Sequence, residues 1–408
     1  MAEALAGLGA TATPLTRGFD AACLGRRRLM PRVVLTVNAG SSSLRLNLVR
    51  DGRVVRSSHS EQAPDPDVAR KTLSEFLGDG SSGFLGNGSS GDGPEGKVAA
   101  VGHRLVHGGD AVRGPTVVDD EVLRAVRGCA DLAPLHVPPA LALVAAARSL
   151  LPGVPHVLCP DTGFHRDLPE VAATYALPAE WRARYGLRRY GFHGLSYAWS
   201  LGRAAELLGR PAGELHLVLT HLGGGASVCA VREGRSVDTS MGFTPFDGVP
   251  MSKRSGSVDP GMLLWLLSGR LSAEELRDGL EHRSGLLGLS GGRSGDTRDL
   301  VASDDPAAAL ALDVFAFRVA REIAAAATAG LDRLDALVFA GEIGWDQPEV
   351  REAVCRRLGM LGVTPPVTGN LDEDGFVSAP GAAVPVLVVE TREELQLARE
   401  TLATLAGG

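Results

Sequence analysis

The sequence predicts an α/β protein of two similar halves facing each other across a cleft. Residues 33–49, VVLTVNAGSSSLRLNLV, read as a hairpin: an apolar run, a turn of small and hydroxyl residues at 39–43, then Leu44, Leu46 and Leu48 alternating with polar residues. That period-two alternation marks a strand with one buried face. About 180 residues later the scheme returns. An apolar strand from Leu215 to Thr220 runs through His221 into the turn Gly223-Gly224-Gly225-Ala226-Ser227 and the strand Val228-Val231. In both copies an acidic-Gly-Arg turn follows, Asp51-Gly52-Arg53 and Glu233-Gly234-Arg235, leading to a third strand. Such self-similarity is the mark of an internal duplication.

The elements between the two copies fit α/β units. Residues 67–77 form a short helix that ends in GDGSSGFLGNGSSGDGPEG, residues 78–96, too poor in apolar side chains to pack and so a flexible surface insertion. The run VAAVGHRLVHGG is a strand feeding a loop with His103, Arg104 and His107. Helices follow at 121–132 and from about Leu135 to Leu151, then a buried strand at 154–158. That strand ends at Asp161, beside a glycine, where α/β proteins place functional groups, although an N-cap explains an acid there equally well. Tyr190-Gly191-Phe192-His193-Gly194 precedes a helix to Leu208. In the second half, helices at 262–267 and 273–280 lead to a small-residue loop at 284–295. A long helix at 306–331, a strand at 336–339, a strand at 384–389 and a final helix complete the chain. Thr391 with Glu394 three residues on has the capping-box spacing for that last helix.

Composition narrows the function. A chain of 408 residues, 44% hydrophobic, can bury a large core, and a net charge of −7 gives no global field for nucleic acid or an anionic membrane. No apolar run is long enough to span a membrane. The five cysteines are scattered without CxxC spacing, which argues against structural zinc and disulfides and for a reducing cytoplasm. Residues 1–31, with few acids and Arg26-Arg27-Arg28, allow a transit peptide. A start at Met30, three residues before the first strand, with the extension disordered or untranslated, accounts for them more simply.

Taken alone, the first Gly/Ser turn is explained by turn chemistry. Two such turns facing one cleft are different: their N–H groups and hydroxyls form paired anion cradles suited to a polyphosphate or a transferring phosphoryl group. No GxxxxGK[ST] sequence or protein-kinase motif set occurs. Arg254 sits in a Gly/Ser loop with little apolar surface to pack on, and so becomes a ligand-binding candidate.

The motifs VNAGSSSL, GHRLVHGG, LAPLHVPP, DTGFH, YGFHG, SMGFTP, RSGSVDP and EELQLARET, in this order, resemble the acetate kinase family of short-chain acyl kinases. The resemblance implies a duplicated actin-like, ribonuclease H-like fold. Its N-terminal domain would span 32–162 and be completed by the helix 392–408, with 163–391 as the C-terminal domain. It also implies a cytoplasmic homodimer that passes a phosphoryl group reversibly between ATP and acetate or propionate, with Mg²⁺ or alternatively Mn²⁺. Arg104 and Arg254 would clamp the carboxylate and phosphoryl group, with His193 and His136 as donors and Asp161 as a further catalytic group. Val106, Leu135, Phe192 and Pro245 would form the acyl pocket. Asn38, Ser41, Ser43, Arg45, His221, Gly223, Gly224 and Gly225 would hold phosphates. Asp296, Thr297, Arg298, Gly341, Glu342, Ile343 and Gly344 would hold the nucleoside, while Asp161, Glu393 and Asn38 would hold the metal.

The departures from the family pattern lie on the nucleotide side. HLGGGAS stands for the usual HLGNGSS, Arg45 for a Lys, Lys253 for a small residue, and FAGEIGWD, residues 339–346, for FTGGIGEN, so that Glu342 occupies a glycine's place. Three readings follow: an ATP-dependent acetate or propionate kinase, a relative with another donor such as pyrophosphate or another nucleoside triphosphate, and a non-catalytic acyl phosphate-binding relative. The retained Asn38, Arg104, His193, Arg254, Asp161 and Glu393 argue against the last.

Overall fold

Two six-stranded mixed sheets carry the fold, and they share one topology. The computed structural model describes residues 33–40, 43–61, 66–78, 97–134 and 136–407. The N-terminal extension, the Gly/Ser insertion beyond Gly78, and the candidates Ser41 and Leu135 lie outside the described residues.

The first sheet contains β1 (Val33–Ala39), β2 (Leu44–Arg50), β3 (Arg53–Ser60), β4 (Val98–Leu105), β5 (Thr116–Val117) and β6 (His156–Pro160), in the order β3-β2-β1-β4-β6-β5. The second contains β7 (His216–Leu222), β8 (Ala226–Arg232), β9 (Arg235–Thr239), β10 (Ala336–Ala340), β11 (Gly375–Phe376) and β12 (Val386–Val388), in the order β9-β8-β7-β10-β12-β11. Each has an antiparallel three-stranded meander, two parallel neighbours, and a two-residue antiparallel edge strand.

The duplication extends to detail. The register shifts between Leu48 and Val49 and again between Ala230 and Val231, the fifth and sixth residues of β2 and β8. Both two-residue hairpin turns place successive residues at positive φ, Asp51 and Gly52 in one, Glu233 and Gly234 in the other. That geometry matches the twist of the flanking strands.

Alternation along the strands builds a core on each face. Val33, Leu35 and Val37 of β1 pack with Leu44, Leu46 and Leu48 of β2 against the helices Pro66–Leu77 and Val137–Leu150. Val34 and Val49 face the other way, onto Ala398 of the C-terminal helix Glu393–Ala406. In the second sheet, Val218, Val228, Leu337 and Phe339 meet the 25-residue helix Pro306–Gly330, capped by Asp305. Leu217, Leu219 and Val338 meet the helix Gly194–Leu208. No helix among the described residues is long and apolar enough to cross a membrane.

The structure refines some local expectations. The helix read at 121–132 ends at Arg127, and a single 3-10 turn, Ala130–Leu132, follows Gly128. The Thr391–Glu394 capping box does not form. The last helix is preceded by Arg392, and no side chain caps it.

Candidate active site

The parallel strands β1, β4, β6, β7 and β10 end on one cleft of about 390 Å³. Asn38 and Arg104 are the next-to-last residues of β1 and β4, Asp161 directly follows β6, and Gly341 directly follows β10. Carboxyl ends of parallel strands are where α/β folds gather ligands. Of the residues anticipated from sequence, the cleft brings together Asn38, Ser43, Arg45, Arg104, Val106, His136, Asp161, Phe192, His193 and His221. It also holds Gly223, Gly224, Gly225, Pro245, Arg254, Gly341, Glu342 and Glu393.

One polar network spans its floor. Arg104 donates from Nη2 to Asp161 Oδ2 at 2.6 Å and from Nε to Oδ1 at 3.0 Å, and from Nη1 to Asn38 Oδ1 at 3.0 Å. Asn38 Nδ2 in turn donates to Glu393 Oε2 at 2.9 Å, which itself lies 3.8 Å from Arg104. Asp161 is therefore no N-cap. Its carboxylate is the bidentate partner of a guanidinium, a charge-assisted geometry that fixes both groups. Burial pushes the Asp161 carboxyl up, against the pull of Arg104. Burial also opposes ionisation of Glu393, but Arg104, His221 and Asn38 outweigh it and hold that carboxyl below its ordinary value. This explains the absent capping box: Glu393 is drawn into the cleft by Asn38 and Arg104, and Thr391 and Glu394 line the cleft too.

His193 is held in an unusual backbone state, at φ 59° just before the helix Gly194–Leu208. Side chains rarely adopt that region, and strain of this kind concentrates at functional sites. Its Nδ1 lies 2.8 Å from Ser227 Oγ, which also bonds the hydroxyl of Tyr197. Either atom can donate in each contact, and the arrangement in which Tyr197 donates to Ser227 and Ser227 to Nδ1 is the one that leaves the ring proton on Nε2. A Cβ on Gly225 would sit 3.1 Å from that Nε2 and 3.8 Å from Arg254 Nη1, so the second Gly turn runs past both groups. The ring stacks on His221 at 4.1 Å, and His221 Nδ1 is 2.8 Å from Ser196 Oγ. Burial, then His221, Arg104 and Arg254, lower the pKa of His193 well below its ordinary value. Burial and the same two arginines take His136 to about 4. Both are neutral hydrogen-bonding rings at pH 7.

Arg254 is the contrasting cation. It donates to the carbonyl of Pro245 at 3.3 Å and touches Met251 Sδ at 3.8 Å, and forms no ion pair among the described residues. Burial lowers its pKa. Glu281 is near enough to act on it electrostatically but forms no ion pair with it, so the half-buried guanidinium keeps donors free for an anionic ligand. Val106, Phe192 and Pro245 provide apolar wall beside it.

A second cavity of about 130 Å³ adjoins the cleft, lined by Gly223, Gly224, Asp296, Thr297, Arg298, Glu342 and Ile343 among others. Asp296 caps the short helix Thr297–Val301 through Arg298 N and pairs with the Arg298 side chain. Gly344 lies in neither cavity; it is buried in its helical turn, and its carbonyl accepts from Arg351. Lys253 is exposed and lines neither cavity.

Sequence reading missed Ser227, Tyr197, Ser196, Asn47 and Glu394. Ser227 and Ser196 stand in quoted motifs, but a buried hydroxyl that orients a histidine looks in sequence like any turn or helix serine.

Among the described residues no three His, Cys, Asp or Glu side chains converge as a closed metal cage. Asp161, Glu393 and Asn38 nevertheless set two carboxylates and an amide oxygen along one wall. Hard oxygen donors in that number suit Mg²⁺, which keeps waters and takes further oxygens from phosphates, so the residues fit the ion.

The comparisons with known proteins agree with this geometry. The acetokinase family profile matches residues 92–399. An acetate kinase of Deinococcus radiodurans is 44% identical over 92% of this chain and 98% of its own. The crystal structure of Porphyromonas gingivalis acetate kinase superposes with a TM-score of 0.80 at 33% identity, covering 92% of this chain and 100% of that one. A propionate kinase from Francisella tularensis gives 0.79 at 30%, over 91% and 99%. With its duplicated actin-like architecture and a cleft at the strand ends, the chain belongs to the acetokinase family.

Proposed function

We infer that this enzyme transfers the γ-phosphoryl group of ATP reversibly to acetate or propionate, yielding acyl phosphate and ADP. The observation that carries the reading is Arg254, a guanidinium with no ion pair among the described residues, lining the same cleft as the Arg104–Asp161 pair.

In the proposed step a substrate carboxylate oxygen attacks the γ-phosphorus in line. The bond to the β–γ bridging oxygen breaks, and its electron pair leaves on ADP. No protein nucleophile is required, since the acceptor is already anionic. Arg254 neutralises charge on the equatorial oxygens from one side and Arg104 from the other, and His193 donates from Nε2. Asp161 holds Arg104 in place, so the guanidinium does not reorganise as charge moves. Val106, Phe192 and Pro245, with Leu135 outside the described residues, would cover the acyl methyl. Asp161, Glu393 and Asn38 would hold Mg²⁺, which when bound neutralises phosphate charge and orients the leaving group. The side cavity beside the Gly223–Gly225 turn supports a nucleotide donor, because a pyrophosphate donor has no group to fill it.

We also propose a cytoplasmic homodimer. The exposed Met262, Leu264, Trp265 and Leu267 of the helix Pro260–Leu267 support such an interface.

The test is hydroxylamine trapping of acyl phosphate, with ATP, GTP and pyrophosphate each offered alongside acetate and propionate. Acyl hydroxamate with ATP and either acid is expected, and none with pyrophosphate. Product with pyrophosphate alone would replace the donor assignment, and no product with any donor would make the chain a binding relative.

A further inference from the structure

The cleft and the side cavity meet at three residues, Gly223, Gly224 and Glu342, and only Glu342 carries a side chain. We propose that Glu342 reads the ribose hydroxyls of the donor, making it specific for a ribonucleotide over a deoxynucleotide or a bare polyphosphate. This rests on the nucleotide-dependent reading above.

A nucleotide with its phosphates along the Gly223–Gly225 turn and its base in the side cavity must pass its sugar between the two, where Glu342 stands. Its position is fixed by backbone. Gly341 before it has φ 80°, and a Cβ there would lie 2.5 Å from the carbonyl of Leu222, so the chain turns hard against β7 and presents Glu342 at the junction. The carboxylate is open: its side chain is 76% exposed, and among the described residues its one ion pair is with Arg45, at 3.7 Å from the opposite sheet. So long and exposed a pair is weak, and ribose hydroxyls can displace it. Arg298 and His221 also lie within electrostatic range, but Arg298 is committed to Asp296 and His221 to Ser196.

The chemistry is selective. A carboxylate only accepts, and a vicinal diol offers two donors, the pairing by which an acid recognises ribose in dinucleotide folds. A deoxynucleotide lacks one donor. A bare polyphosphate offers none and meets like charge at the same place.

The experiment compares kcat/KM for ATP, 2′-deoxyATP and 3′-deoxyATP in the wild type, Glu342→Gln and Glu342→Ala, at saturating acetate. The wild type is expected to favour ATP over at least one deoxy analogue by roughly ten- to a hundredfold, the range of one charge-assisted hydrogen bond. In Glu342→Ala that ratio falls to within about threefold, with Glu342→Gln between, since its amide keeps one acceptor without the charge. Normal ATP turnover with no discrimination, or discrimination that persists in Glu342→Ala, overturns this inference alone. Absence of turnover with every nucleotide overturns it together with the proposed function.

Discussion

Replacing Arg254 by alanine is expected to lower kcat by about a hundred- to a thousandfold, the range seen when one preorganised charge-stabilising donor is removed from an acyl- or phosphoryl-transfer site. The fold should survive. Arg254 is anchored by one carbonyl and one sulfur, and its removal leaves no buried acid unpaired. Circular dichroism melts superimposable on the wild type, beside the lost rate, would separate chemistry from stability. Arg254→Lys should recover little, because an ammonium lacks the planar fork that spans two equatorial oxygens. An unchanged kcat in Arg254→Ala would remove it from the transition state.

Asp161→Ala is expected to fail in both respects. Asp161 is 1% exposed and takes three hydrogen bonds from Arg104. Its loss takes the bidentate partner from a largely buried guanidinium that keeps only Asn38 and a Glu393 oxygen at 3.8 Å, at a cost of up to about 3–5 kcal/mol for breaking such a pair from one side. The urea midpoint should fall accordingly, and activity should fall with it as Arg104 loses its orientation. The double variant Arg104→Met, Asp161→Leu distinguishes the two effects. An apolar pair of similar volume should restore most of the stability and none of the activity. Activity retained in the double variant would show that Arg104 is not needed for transfer.

The two predictions rest on residues whose identities were legible in sequence and whose relation was not. The duplicated hairpins could be read because each step has a local signature: alternation in β1 and β2, small residues in the turn, and an acidic-Gly pair where φ turns positive. The cleft followed, since facing cradles have few other uses. The pairing of Arg104 with Asp161 had no such signature. They lie 57 residues apart, and the sequence suggests a free clamp and a separate acid where the structure makes one ion pair. Local pattern misled at Thr391 and Glu394, where capping-box spacing lost to the pull of Asn38 and Arg104 on Glu393. Gly344 belongs to a motif whose neighbours line the cavities, while in the helical turn Gly341–Asp346 it is itself buried. The orienting hydroxyls Ser227, Tyr197 and Ser196 emerged only once the sheet had placed β8 against the helix Gly194–Leu208. Helix and strand propensities carry no information about that juxtaposition.

The most direct measurement is a crystal structure with ADP, Mg²⁺, acetate and aluminium fluoride, whose planar fluoride mimics the transferring phosphoryl group. That fluoride is expected between Arg104 and Arg254, within hydrogen-bonding distance of His193 Nε2, with the acetate methyl against Val106, Phe192 and Pro245. A fluoride bound beyond reach of Arg254, or acetate seated away from that apolar wall, would contradict this arrangement.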